Sequence, residues 1–101
     1  MAKWADNLIS AVSFNDAGTH ITKVWTHADE GKSVGKGYLE ARSTVVANIE
    51  AGQSYSTILP NGKGWTYGAR VLIDKVDGET FIKTKPDSSK KDILDKPPPI
   101  A

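Results

Sequence analysis

Hydrophobic positions along the chain fall in short alternating runs, the period of strands half-covered on one face. Leu8 to Phe14 reads as the first strand, with Leu8, Val12 and Phe14 on one face and Ser10 diluting it. Asn15-Asp16-Ala17-Gly18 follows as turn chemistry, because Asn and Asp bond to nearby backbone and Gly accepts positive φ. A second strand runs from His20 to His27. Its alternation sets Ile21, Lys23, Trp25 and His27 on one side and His20, Thr22, Val24 and Thr26 on the other. The two strands predict a hairpin or meander.

Ala28 to Gly37 has three glycines and no apolar period, and reads as a loop of a length that is often functional. Ser43 is placed to cap a short helix over Thr44 to Ala51, with Gly52 as its left-handed stop. Val45, Val46 and Ile49 give that helix one apolar stripe, so it must lie on the sheet. Ser54 to Leu59 is a third strand, ended by the turn signal Pro60-Asn61-Gly62-Lys63-Gly64. The strongest local signal is a hairpin of Arg70–Val76 and Glu79–Thr84 about Asp77-Gly78, a dipeptide suited to a two-residue type I′ turn. In that register Ile73 faces Ile82 and Val71 faces Thr84, while Leu72, Val76 and Phe81 occupy the other side. Apolar residues on both sides require cover from the helix and from a second protomer or an arm.

Beyond Lys85 the chain turns polar, and Pro97-Pro98-Pro99 must be extended. The expected organisation is one α+β domain over residues 1–86, a small antiparallel sheet of about five strands with one short helix. An extended or partly disordered C-terminal arm covers 87–101, with Ile93, Leu94 and Ile100 as its anchors. The 101 residues suffice for one domain. Thirteen Lys and Arg against twelve Asp and Glu leave a net +1, too little to draw a long nucleic acid or a membrane. Cysteine is absent, which excludes disulfides, thiolate nucleophiles and Cys-based metal sites. Residues 1–11 hold no apolar run suited to export or to a membrane span, so a cytoplasmic protein, in a bacterial host cytosol, is expected. A domain this small buries well under 70% of its unfolded surface, and self-association into a dimer or tetramer would widen the margin.

Three blocks carry a resemblance: Trp4-Ala5-Asp6 through Ile9-Ser10-Ala11-Val12; His20-Ile21-Thr22-Lys23-Val24; and Ile82-Lys83-Thr84-Lys85-Pro86-Asp87 with Asp92-Ile93-Leu94-Asp95-Lys96-Pro97. With Arg42 to Val46 and Ile49 to Gly52 between them, the chain resembles the short bacterial and phage family known as domain of unknown function 3892. The resemblance spans nearly the whole chain and implies a fold without implying a chemistry. The triple-proline end departs from the family pattern.

Catalytic chemistry has little to stand on. His20 and His27, at odd spacing on one strand, point to opposite faces and cannot share a site. Asp74 and Glu79 flank the last hairpin and read as salt-bridged surface acids, and no hydrolase or EF-hand motif occurs. Gly31 to Gly37 is one residue short of a phosphate-binding P-loop and lacks the hydroxyl after Lys36. No metal or cofactor is expected. What remains is a constellation for a compact phosphorylated, aromatic ligand. Arg42, Ser43 and Thr44 at the helix start offer donors to a phosphate. Trp65 or Tyr67, with Arg70 close after and Trp25 and Lys36 at the glycine loop, offers a stacking surface. The competing readings are that Ser43 caps while Arg42 pairs with a neighbour such as Glu40, and that Trp65 is a lid on a small core. The expected function is non-enzymatic small-molecule binding in pockets of a homo-oligomer. Phage-borne relatives extend this to a sponge that sequesters nucleotide immune signals resembling cyclic dinucleotides. The alternative is an interaction module acting through a sheet edge or the C-terminal arm.

Overall fold

The structure, a computed structural model, describes residues 5–31, 33–62, 64–85 and 90–94. Along the chain come β1 (Asn7–Phe14), β2 (Ile21–Ala28), β3 (Tyr38–Ala41), α1 (Arg42–Glu50), β4 (Tyr55–Asn61), β5 (Gly64–Arg70), β6 (Leu72–Val76) and β7 (Glu79–Lys83). The fold is α+β. A five-stranded sheet has the order β3-β2-β1-β4-β5, and β6 and β7 form a separate two-stranded sheet. The larger sheet is antiparallel except where β1 lies parallel to β4, a pairing the chain reaches through the β3–α1 crossover.

Two strands go beyond the sequence expectation. Tyr38–Ala41 is too short to show an alternation of its own. Trp65 and Tyr67, expected in a turn, lie on β5, because β4 continues through Pro60 and Asn61 and the chain reverses only at Gly62. The last hairpin has its expected register, Ile73 opposite Ile82 and Val76 opposite Glu79, with Asp77 and Gly78 both at positive φ. Val71 is not in that ladder; its N–H goes to the Tyr55 carbonyl instead.

The two faces of the large sheet carry different cores. On the helix face Ile9, Val12, Ile21, Val24, Tyr55, Val71 and Ile82 pack with Val45 of α1, joined by Val46 and Ile49. On the opposite face Ala5, Leu8 and Ile58 form a smaller cluster under Val34 and Trp65. Leu8 and Val12 were expected to share a face. A register shift between Ile9 and Ala11 inserts one residue and reverses the alternation, so Leu8 and Val12 point apart. A second shift, between Ser13 and Phe14, brings Ile21 into the helix-side core beside Val24.

The helix starts one turn-fraction earlier than expected. Ala41 is its N-cap and no side chain caps it; Ser43 and Thr44 are exposed within its first turn. Its apolar stripe falls where the spacing put it, and Gly52 takes φ +102° just past its end. The C-terminal segment 90–94 lies on its own domain. Ile93 adds beside Lys83 as a parallel bridge, and Asp92 N–H bonds the Thr19 carbonyl. Pro97 to Pro99 lie outside the described residues.

Candidate ligand-binding face

Residues directly opposite in a ladder share a face, so the registers sort the side chains. Trp25 is opposite Leu39 and Ala11, His27 is opposite Leu8, Ile58 is opposite Tyr67, and Pro60 is opposite Trp65. Leu8, Ile58 and Trp65 belong to the cluster away from the helix. Trp25, Leu39, Trp65, Tyr67 and Arg70 therefore all rise from the face that α1 does not cover. Three large side chains there are open to solvent: Trp25 at 36%, Leu39 at 51% and Tyr67 at 42%. Arg70 and Lys23 are exposed on the same face, and Lys36 is exposed in the adjoining loop.

Local sequence explains why the loop 29–37 comes down beside this surface. Asp29 and Val34 form an isolated bridge, Gly35 N–H bonds the Ala28 carbonyl, and Asp29 accepts from the N–H groups of Ala5 and Gly31. Gly37 is needed by close approach. A Cβ there would stand 2.0 Å from Trp25 Nε1 and 2.8 Å from His27 Cε1, so the indole lies across the bare backbone.

Beneath the loop His27 is held at both nitrogens. Its Nδ1 is 2.8 Å from the Gly35 carbonyl, which can only accept, so Nδ1 carries the proton. Nε2 then accepts from Ser10 Oγ at 2.8 Å. This is the spacing of a nucleophile and its base. Both residues are buried, and the His27 ring packs 5.6 Å from the Trp65 ring, so the pair acts as a pin joining β1, β2 and the loop. Ser10 shows no signal in the sequence, because its partner His27 lies 17 positions away on the paired strand.

Arg42, Ser43 and Thr44 lie elsewhere. Arg42 donates from Nε and Nη2 to Asp92, at 2.8 and 3.1 Å, and from Nη2 to the Thr80 carbonyl. The Asp92 side chain is fully buried and also accepts from the N–H groups of Ile21 and Ile82. The hydrogen bond to Asp92 raises the Arg42 pKa further above its ordinary value, outweighing the burial that lowers it. Arg42 opens α1, which packs on one face of the sheet, and Trp65 belongs to the cluster on the other, so within one chain the sheet separates the guanidinium from the indole. The expected site thus divides: Trp25, Trp65, Tyr67, Arg70 and Lys36 gather at one surface, and Arg42, Ser43 and Thr44 stand apart from it. Trp65 itself is half-buried as a lid.

Several other titratable groups are paired in structural roles. His20 meets Glu79 at 2.7 Å and Asp74 meets buried Lys83 at 2.8 Å. Glu40 accepts from Thr26 at 3.0 Å and from Tyr55 at 2.8 Å, tying β3, β2 and β4. Among the described residues no cluster of His, Asp and Glu could hold a metal ion, and no helix is long and apolar enough to cross a membrane. A shallow cavity lined by Ala69, Thr84, Lys85 and Ile93 contains none of the expected site residues.

The family described as a protein of unknown function (DUF3892) matches residues 3–98. The chain belongs to that family. The matched span includes the residues of the uncovered face, the Ser10–His27 pin and the Arg42–Asp92 clamp. No curated protein and no solved structure matches the chain.

Proposed function

We propose that the protein is a non-enzymatic binder of a compact, anionic ligand with planar rings, held on the uncovered face of the five-stranded sheet. The observation that carries this reading is the exposure of Trp25, Leu39 and Tyr67 on a face whose basic residues, Lys23 and Arg70, are also exposed. Exposed aromatics beside cations supply stacking and charge together. Trp25 on β2 and Tyr67 on β5 are three strand spacings apart, about 14 Å at the usual strand separation. A ligand with a ring at each end and phosphate between them, dinucleotide-like in its chemistry, suits that span. Sequestration of such a signal, rather than its conversion, agrees with the burial of both Ser10 and His27.

Calorimetric titration with mono- and dinucleotides tests the reading. Trp25→Ala and Tyr67→Ala should each weaken binding by roughly 1–3 kcal/mol, about 5- to 150-fold, while the circular dichroism spectrum is unchanged. Affinity should vary little with salt compared with a protein that tracks a nucleic-acid backbone. Unchanged affinity in both variants, or no binding by any nucleotide, overturns the proposal.

A further inference from the structure

The edges of the two sheets are guarded unequally. The outer side of β7 is covered by the chain's own Ile93, and β5 carries glycines at 64 and 68 and ends on Arg70. β3 is the other terminal strand of the large sheet, and among the described residues no segment pairs with its outer side. Natural edge strands are protected by Lys, Pro, bulges or inward charges. Tyr38-Leu39-Glu40-Ala41 has no Lys, no Pro and no bulge. Its single charge, Glu40, is drawn onto the helix face by Thr26 and Tyr55. Tyr38 and Leu39 are meanwhile 44% and 51% exposed, on opposite faces of this one short strand.

We propose that this edge seats a second copy of the same chain, with the two β3 strands antiparallel about a two-fold axis at Leu39. Symmetry restricts the register without fixing it. Opposed residues must share a face, so the axis can pass only at a residue and not between two. An axis at Glu40 would oppose two carboxylates, which is destabilising. An axis at Leu39 opposes two leucines and sets Tyr38 of each copy opposite Glu40 of the other. On the uncovered face it creates one apolar row, Trp25 and Leu39 of one copy followed by Leu39 and Trp25 of the next, in a continuous ten-stranded sheet. The pairing stands on the edge strand and not on the ligand reading, yet it would join the two ligand faces into one surface.

Sedimentation equilibrium of the full chain should give about twice the 10.9 kDa protomer mass. Leu39→Lys, which opposes two ammonium groups at the axis, should return the mass to one protomer with the fold intact. Because the chain has no cysteine, Leu39→Cys introduces a single thiol. Opposed antiparallel residues have Cα separations of about 4.5–5.5 Å, within disulfide reach. Mild oxidation should therefore cross-link Leu39→Cys nearly completely and leave Tyr67→Cys, on the far strand, as a monomer on a denaturing gel. A wild-type mass of one protomer, a Leu39→Lys variant that stays dimeric, or cross-linking no greater at 39 than at 67 would each overturn the pairing. Nucleotide affinity is read separately, on the wild type: binding by a wild type that proves monomeric leaves the ligand face standing and removes only the dimer.

Discussion

Asp92 accepts from two backbone N–H groups and from Arg42 while fully buried, so its charge is matched from three parts of the chain. Removing one partner of such a pair leaves an uncompensated buried charge, which costs about 3–5 kcal/mol. Arg42→Ala should therefore lower the midpoint of chemical denaturation strongly, and a nucleotide titration of that variant would report stability before affinity. Ser10 and His27 offer a milder case. Ser10→Ala leaves Nε2 a buried acceptor without its donor and should cost about 1–3 kcal/mol by denaturant titration. The wild-type Ser10 should resist a serine-directed fluorophosphonate in mass spectrometry; stoichiometric labelling would reassign the pin as a reactive pair. Arg42 and Ser10 are both legible as residue types, but their partners lie 50 and 17 positions away, and nothing local announces either contact.

At the scale of elements, α1 shows how a helix can form without its own start signal. Its stripe of Val45, Val46 and Ile49 docks on the sheet, and that packing fixes the helix although Ala41 offers the N-terminal N–H groups no side-chain acceptor. Ala41→Ser should stabilise the fold by about 0.5–2 kcal/mol, measured as a raised denaturation midpoint. The apolar spacing of α1 and the Asp77-Gly78 turn were readable because each depends on residues within a few positions. β3 was not, since four residues with exposed Tyr38 and Leu39 acquire strand geometry only by pairing with β2. β5 was hidden for a related reason: its glycines read as turn, while its ladder with β4 holds Trp65 opposite Pro60. The aromatic site was thus legible as composition and misplaced as structure.

For the molecule as a whole, the buried Tyr55 phenol links folding to alkaline pH. Burial raises its pKa well above 10, opposed by the hydrogen bond from Asn48 and reinforced by Glu40. An unfolded tyrosine ionises near 10 while the folded one keeps its proton. Its contribution is whole below pH 10 and is lost as pH rises from there toward the folded value, at most about 1.4 kcal/mol per pH unit. Urea titrations between pH 9 and 11.5 should show that decline, and Tyr55→Phe should flatten it. A slope identical in the two proteins would remove Tyr55 as its cause.

Local chemistry within the sequence determined the turn at Gly18, the last hairpin and its register, the apolar face of the helix and the absence of cysteine chemistry. Each depends on contacts a few residues apart, where periodicity and turn preference act directly. Tertiary structure alone decided which residues share a surface. One inserted residue in β1 put Leu8 and Val12 on opposite faces, the docking of Asp92 claimed Arg42 for the core, and the pairing of β4 with β5 brought Tyr67 to the face of Trp25. A strand's two faces differ by a single position, so a shift too small to disturb any local pattern determines which side chains can meet a ligand.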